Sequence, residues 1–235
     1  MASRRVFLAC SRAAFALTLL ARITPAAAAP LDLHLTFSSL PSAQGFTYTP
    51  SGSHALAIES SIFDVSGGVL TQNSMGQYLG GAGGGVYYQR VGDITATDSK
   101  QIRVRTRCLT NEGGTGGFVF GFGTPVGQFV LALTPTQAFV LRAGGWSAAP
   151  GTFDNTAFHD YILDWTSASS YRLYRDGTLI HTGSDGYPGS YNYVFFGDGT
   201  GGANAHGEIT SYEFIQDLAT PTRSSTWGRL KNLYR

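Results

Sequence analysis

Residues 158–180 read FHDYILDWTSASSYRLYRDGTLI. His159, Tyr161, Leu163 and Trp165 alternate with Asp160, Ile162 and Asp164, the period of two that marks a strand with one buried face. A Ser-rich turn follows, and Tyr171, Arg172, Leu173, Tyr174 and Arg175 make a second run. Asp176-Gly177 then supplies two adjacent positions that tolerate φ > 0, as a tight hairpin turn requires, and Thr178-Leu179-Ile180 leads away as a third strand.

Outward from this stretch the same signature recurs. Strand-like runs occupy 31–37, 55–65, 68–72, 86–90, 101–108, 118–122, 128–133 and 138–141 before it, and 193–197 and 208–215 after it. Glycine-rich or polar joints separate them, as at 80–85 and 111–117. Short strands with regular turn signals and no intervening helical period specify an antiparallel β-sandwich and argue against an α/β fold. No internal repeat is visible. The glycine runs lack the Gly-Lys-Ser/Thr and following helix of a phosphate cradle, and read as turns.

A strand ending Tyr161-Ile162-Leu163-Asp164-Trp165, a polar turn, then Leu173-Tyr174-Arg175-Asp176-Gly177-Thr178-Leu179-Ile180 resembles the core of concanavalin A-like lectin/glucanase domains of the laminin G-like kind, in their bacterial exported form. Phe195-Phe196-Gly197-Asp198-Gly199-Thr200 and the run 208–215 resemble that superfamily's closing segment. The resemblance implies an all-β, two-sheet antiparallel jelly roll over 30–219. It implies little about activity, because this sandwich hosts lectins, hydrolases, lyases and inert spacers. Arg175 departs from the pattern, where an apolar residue is usual. If it points inward it needs a carboxylate partner; otherwise it faces a groove.

The chain has 235 residues, room for one all-β domain with a full core. Thirty-one glycines and only 13% charged residues suit many short strands. Residues 1–29 have the form of an export signal, with Arg4 and Arg5 at the start, a short apolar run over 13–21 and small residues over 25–29. Ser3-Arg4-Arg5-Val6-Phe7-Leu8 also resembles a twin-arginine signal, so the Sec and twin-arginine routes both stay open. The protein is therefore expected outside the cytoplasm: extracellular, periplasmic or at the cell surface, with no transmembrane span after processing. Removal of that segment takes Cys10 and leaves Cys108, which the alternation of Ile102, Val104 and Thr106 places on the buried side. With no intramolecular disulfide possible, the core must hold the domain.

Between residues 31 and 218 eight Lys and Arg face fifteen Asp and Glu, a formal charge of −7. A polyanion needs a basic footprint, so nucleic acid is excluded as a partner. Positive charge gathers instead in the tail, 220–235, with Arg223, Arg229, Lys231 and Arg235. Behind Pro221, Trp227, Leu230, Leu233 and Tyr234 share one face of a short amphipathic helix. This tail is either a docked or frayed chain end, or an appended tag read by export or surface machinery.

Several constellations could carry function. Glu208 and Glu213 in Glu-Ile-Thr-Ser-Tyr-Glu resemble the Glu-x-Asp-x-x-Glu strand of glucanases, but Thr210 stands where the Asp should be. Residues five apart on a strand also face opposite ways unless a bulge intervenes. Arg103, Arg105 and Arg107 share one strand face; they could grip an acidic polysaccharide or pair across strands with carboxylates such as Asp160 and Asp164. Tyr87, Trp146, Tyr187 and Tyr191 lie in or beside glycine-rich loops, where a flat ring could stack on a sugar; with Arg175 they complete the candidate ligand-binding set. The resemblance also implies a structural calcium ion, with Asp198, Asn204 and Asp217 as oxygen donors, or Asp154-Asn155. The five histidines show no zinc spacing, and no Gly-x-Ser-x-Gly elbow is present. The leading expectation is an exported, non-catalytic module for a polysaccharide or cell-surface glycan. A carbohydrate-active enzyme (glycoside hydrolase or lyase) with an unrecognised site, or a purely structural surface domain, remain alternatives.

Overall fold

The computed structural model describes residues 31–52, 55–76, 84–92, 94–96, 99–167, 170–200 and 202–216. The expected export signal, Asp217 and the tail lie outside these residues. The described chain forms β1 (Leu33–Leu35), β2 (Thr47–Pro50), α1 (Glu59–Ile62), β3 (Phe63–Ser66), β4 (Val69–Asn73) and β5 (Val86–Val91). There follow β6 (Lys100–Glu112), β7 (Val119–Thr124), β8 (Gly127–Thr134), β9 (Gln137–Arg142) and β10 (Gly145–Ala148). β11 (His159–Ser167), β12 (Ser170–Arg175), β13 (Thr178–Gly183), β14 (Tyr193–Asp198) and β15 (Asn204–Gln216) complete it.

The strands make two sheets, every pairing antiparallel. One has eight strands in the order β13-β12-β11-β6-β15-β4-β3, with β1 also against β15; the other has seven, β10-β9-β8-β7-β14-β5-β2. This is the expected two-sheet jelly-roll sandwich. Among the described residues no helix is long and apolar enough to cross a membrane.

The segment 158–180 forms as its pattern demands. Tyr161, Leu163 and Trp165 are buried, while Asp160 faces out. Asp176 and Gly177 take φ of 50° and 76°, so β12 and β13 join through a turn whose twist matches the strands it connects. Inward residues of both sheets then interlock in an aromatic core: Phe122 packs on Trp165 and Phe214, Phe129 on Trp165 and Tyr171, and Phe196 on Tyr212 with ring centroids 4.7 Å apart. Such pairs add to the apolar burial that drives the two sheets together. Cys108 sits fully buried in this core, its thiol pushed up to about 12 by that burial, and is chemically quiet.

Two local expectations are corrected, and one strand, β2, went unrecognised. The run 55–65 is strand only from Phe63; a single helical turn, Glu59–Ile62, precedes it. β2 ends in Pro50 and is an edge strand, where a missing N–H costs no ladder bond. β10 was hidden in the Gly144-Gly145-Trp146-Ser147 stretch, so Trp146 stands on a strand rather than a loop.

Candidate functional site

In an antiparallel sandwich the side chains that point away from the core are usually polar. The outer face of the seven-stranded sheet departs from this. Val119, Val130, Ala132 and Phe195 point away from the inter-sheet core yet are buried, packed with Tyr87, Phe139, Leu141, Trp146 and Tyr193. The cause lies in β7, which alternates inward Phe120 and Phe122 with outward Gly121 and Gly123. Gly121 stands directly opposite Phe195 of β14, and a methyl group there would sit 2.5 Å from that ring. At Gly123 a methyl would sit 2.2 Å from Tyr191. The two glycines therefore leave space for neighbouring rings to lie down on the sheet.

The result is a continuous run of rings: Tyr191 to Tyr193 at 5.7 Å, Tyr193 to Phe195 at 5.5 Å, and Phe195 to Tyr87 at 5.9 Å. Beside it opens a cleft of about 190 Å³, walled by Tyr87, Tyr193 and Phe195, by Val119, Val130, Leu141 and Trp146, and at its polar points by Gln128, Gly199 and Thr200. The Tyr193 hydroxyl reaches Gln128 Oε1 at 3.5 Å. Burial raises the Tyr87 phenol, and burial followed by the neighbouring Tyr87 and Tyr191 pushes Tyr193 up to about 12, so both are neutral at ordinary pH. Among the described residues, none that lines the cleft carries a charge.

Of the sequence candidates, Tyr87 and Trp146 meet in this cleft. Tyr191 packs on Gly123 one ring beyond it, and Tyr187 exchanges backbone hydrogen bonds with Gln128 while its side chain stays 39% exposed. Tyr193, Phe195, Gln128 and Leu141 went unrecognised. Their signal was the alternating Phe-Gly-Phe-Gly of 120–123, which marks a strand face approached closely by something else.

The remaining candidates stand elsewhere. Arg103, Arg105 and Arg107 lie on the outer face of the eight-stranded sheet, each bridged to the residue opposite it in register. Arg105 meets Asp160 at 3.0 Å, Arg107 meets Glu208 at 2.8 Å, and Arg103 meets Glu213 at 3.9 Å. Asp164 pairs instead with Arg172, at 3.0 Å. A bulge between Ile209 and Ser211 does bring Glu208 and Glu213 to one face, but it is this ladder face, and both are held by arginines. Arg175 turns inward: Nε donates to the Tyr161 hydroxyl at 3.2 Å, one Nη to the Asp154 carbonyl at 2.6 Å, and the other lies 3.7 Å from Asp176. It thus finds a carboxylate and a carbonyl, and does not reach the cleft.

Of the expected calcium donors, Asp217 lies outside the described residues and the others are engaged within the protein. Asp198, at the inward end of β14, accepts from Ser74 Oγ at 2.6 Å and the Thr200 N–H at 3.2 Å. Its carboxyl is fully buried, and that desolvation, opposed by the two hydrogen bonds, raises its pKa to about 8. Asn204 gives its amide to Glu112. Asp154 accepts from Thr156, and Asn155 is spent on Tyr161, Thr134 and Gln137. Among the described residues no three His, Cys, Asp or Glu gather where they could hold a metal ion.

No protein-family model matches the chain, and no curated protein does. Solved structures do. A carbohydrate esterase of the Shiga toxin-encoding bacteriophage phi24B superposes with a TM-score of 0.55 at 15% identity, over 79% of this chain and 97% of that one. The β-glucanase of Bacillus licheniformis gives 0.53 at 13% identity, covering 78% and 97%. The endo-β-1,3-glucanase of Pyrococcus furiosus gives 0.54 at 12%, covering 78% and 93%. At such identities the likeness is one of fold, and with two antiparallel sheets in this order the chain is a jelly roll of the concanavalin A-like type.

Proposed function

We propose that the domain is an exported binding module that holds an uncharged polysaccharide or cell-surface glycan in the cleft on the outer face of its seven-stranded sheet. The observation that carries this reading is the convergence of Trp146, Tyr87, Tyr193 and Phe195 in a cleft with no charged lining residue. Sugar rings present apolar C–H faces that stack on aromatic platforms, and their hydroxyls need a few polar partners, here Gln128, Thr200 and the tyrosine hydroxyls. An acidic polysaccharide would find no counter-charge there. The glycan-active proteins that share the fold support the choice of ligand class; the form of residues 1–29 supports export.

The test is a glycan array and isothermal calorimetry with the mature protein, with Trp146→Ala and Tyr87→Ala beside it. Loss of an aromatic anchor costs about 2 kcal/mol or more, some thirtyfold in affinity. Binding to neutral glycans that both substitutions leave intact would overturn the site, and an array empty of neutral glycans would overturn the ligand class.

A further inference from the structure

The two sheets come together at one side through β10 and β13, each the last strand of its sheet. The alternation that turns Trp146 outward into the cleft turns Ser147 the other way, toward β13. There Ser147 Oγ lies 3.1 Å from His181 Nε2. His181 also lines an open cavity of about 420 Å³, together with Pro150, Leu179, Ile180 and Thr182. Leu179 is 48% exposed, so the cavity wall presents apolar surface that the core does not use. The charged and titratable groups around the imidazole are Arg142, Asp185 and Tyr171. Arg142 donates to Asp185 through Nε at 2.8 Å and Nη at 2.5 Å. Tyr171 meets His181 edge-on at 5.7 Å, and its buried hydroxyl has no hydrogen-bond partner among the described residues. Burial, with the Arg142 charge adding to it against hydrogen bonds to the Thr182 and Ser147 backbone, lowers the His181 pKa. The imidazole is therefore neutral at pH 7 and able to accept a proton.

We infer that Ser147 and His181 are a nucleophile and its general base, forming a second site that hydrolyses small carboxylic esters seated in this edge cavity. A hydroxyl is a weak nucleophile until a neutral imidazole within hydrogen-bond reach can take its proton. In the first half-reaction Ser147 Oγ bonds to the acyl carbon as its proton passes to Nε2; the ester C–O bond breaks, and the leaving alkoxide takes that proton. In the second, Nε2 takes a proton from water and the hydroxide attacks the acyl carbon. Ser147 Oγ then departs and recovers the proton, releasing the carboxylic acid. The acyl group rests against Leu179, Ile180 and Pro150. Because β10 and β13 are edge strands, alternate backbone N–H groups along them lack a ladder partner and can hold the oxyanion.

The experiment uses the full-length protein. A fluorophosphonate reagent is added and the labelled peptide mapped, and p-nitrophenyl acetate hydrolysis is followed beside it. The wild type should label at Ser147. Ser147→Ala should lose the label and about a hundredfold of the hydrolysis above background, the usual contribution of base-assisted attack. His181→Gln can still hydrogen-bond to Ser147 but cannot serve as base, so it should keep its melting temperature and lose both signals. Labelling at another residue, no labelling of the wild type, or hydrolysis unchanged in either variant would make the contact a clasp between sheets and overturn the assignment. Glycan binding in the outer cleft is read separately and is unaffected by any of these outcomes.

Discussion

Asp198 offers a test that reaches from one buried atom pair to the stability of the whole domain. Its carboxyl is fully buried between the sheets, with a pKa raised to about 8 against an ordinary value of 3.8. The folded state therefore holds a proton that the unfolded chain has released at any pH between those values. Where the native state binds more protons, stability falls as pH rises, at about 1.4 kcal/mol per pH unit for one group. From pH 5 to pH 8 the wild type should lose roughly 3–4 kcal/mol from this carboxyl, and the loss should level off above the folded pKa. Asp198→Asn cannot ionise. It keeps one carbonyl acceptor for Ser74 or for the Thr200 N–H but not both, which costs about 1–2 kcal/mol at pH 5. Urea unfolding at half-unit pH steps should thus give two curves that cross: the wild type more stable at pH 5, the variant at pH 8. Carboxyls held low by hydrogen bonds, Glu112 and Asp154, act below about pH 4 and leave this window clear. His181, whose lowered pKa makes stability fall as pH drops below its unfolded value, contributes equally to both proteins and cancels in the difference. Parallel curves from pH 5 to pH 8 would refute the reasoning.

Gly121→Ala places a methyl 2.5 Å from the Phe195 ring; overpacking of this kind costs about 1–3 kcal/mol, and the displaced ring should weaken glycan binding, read by denaturation and calorimetry on the same protein. Arg105→Ala removes a rung of an exposed ladder and should change stability by less than about 1 kcal/mol, with glycan affinity unchanged; a large loss of affinity would move the ligand to the eight-stranded sheet. Deleting residues 220–235 should leave the melting temperature unchanged and alter where the protein is found. A large fall in melting temperature would show that the tail is packed structure instead of a tag.

What the sequence determined by itself is what one strand says about its own two faces. The alternation of Tyr161, Leu163 and Trp165 with Asp160 and Asp164 fixed which side chains go inward, and Asp176-Gly177 fixed a turn that only residues tolerant of positive φ can make. The Arg103, Arg105 and Arg107 stripe likewise declared a strand face, and cross-strand pairing with a carboxylate such as Asp160 was legible as its simplest use, whereas Glu208 and Glu213 became partners only in the folded sheet. What only the tertiary structure decided is which face meets which. Period two does not say which sheet a strand joins or what stands beside it, because pairing is set by contacts between segments far apart in the chain. Gly121 means little until β14 lays Phe195 across it. Trp146 and Tyr87, from β10 and β5, are brought to one cleft by the order of the four strands between them. A bulge at 209–211, invisible in composition, turns Glu213 to the face of Glu208. Ser147 and His181 belong to different sheets, and no spacing in the sequence could announce their contact; it exists because two sheet edges close on each other.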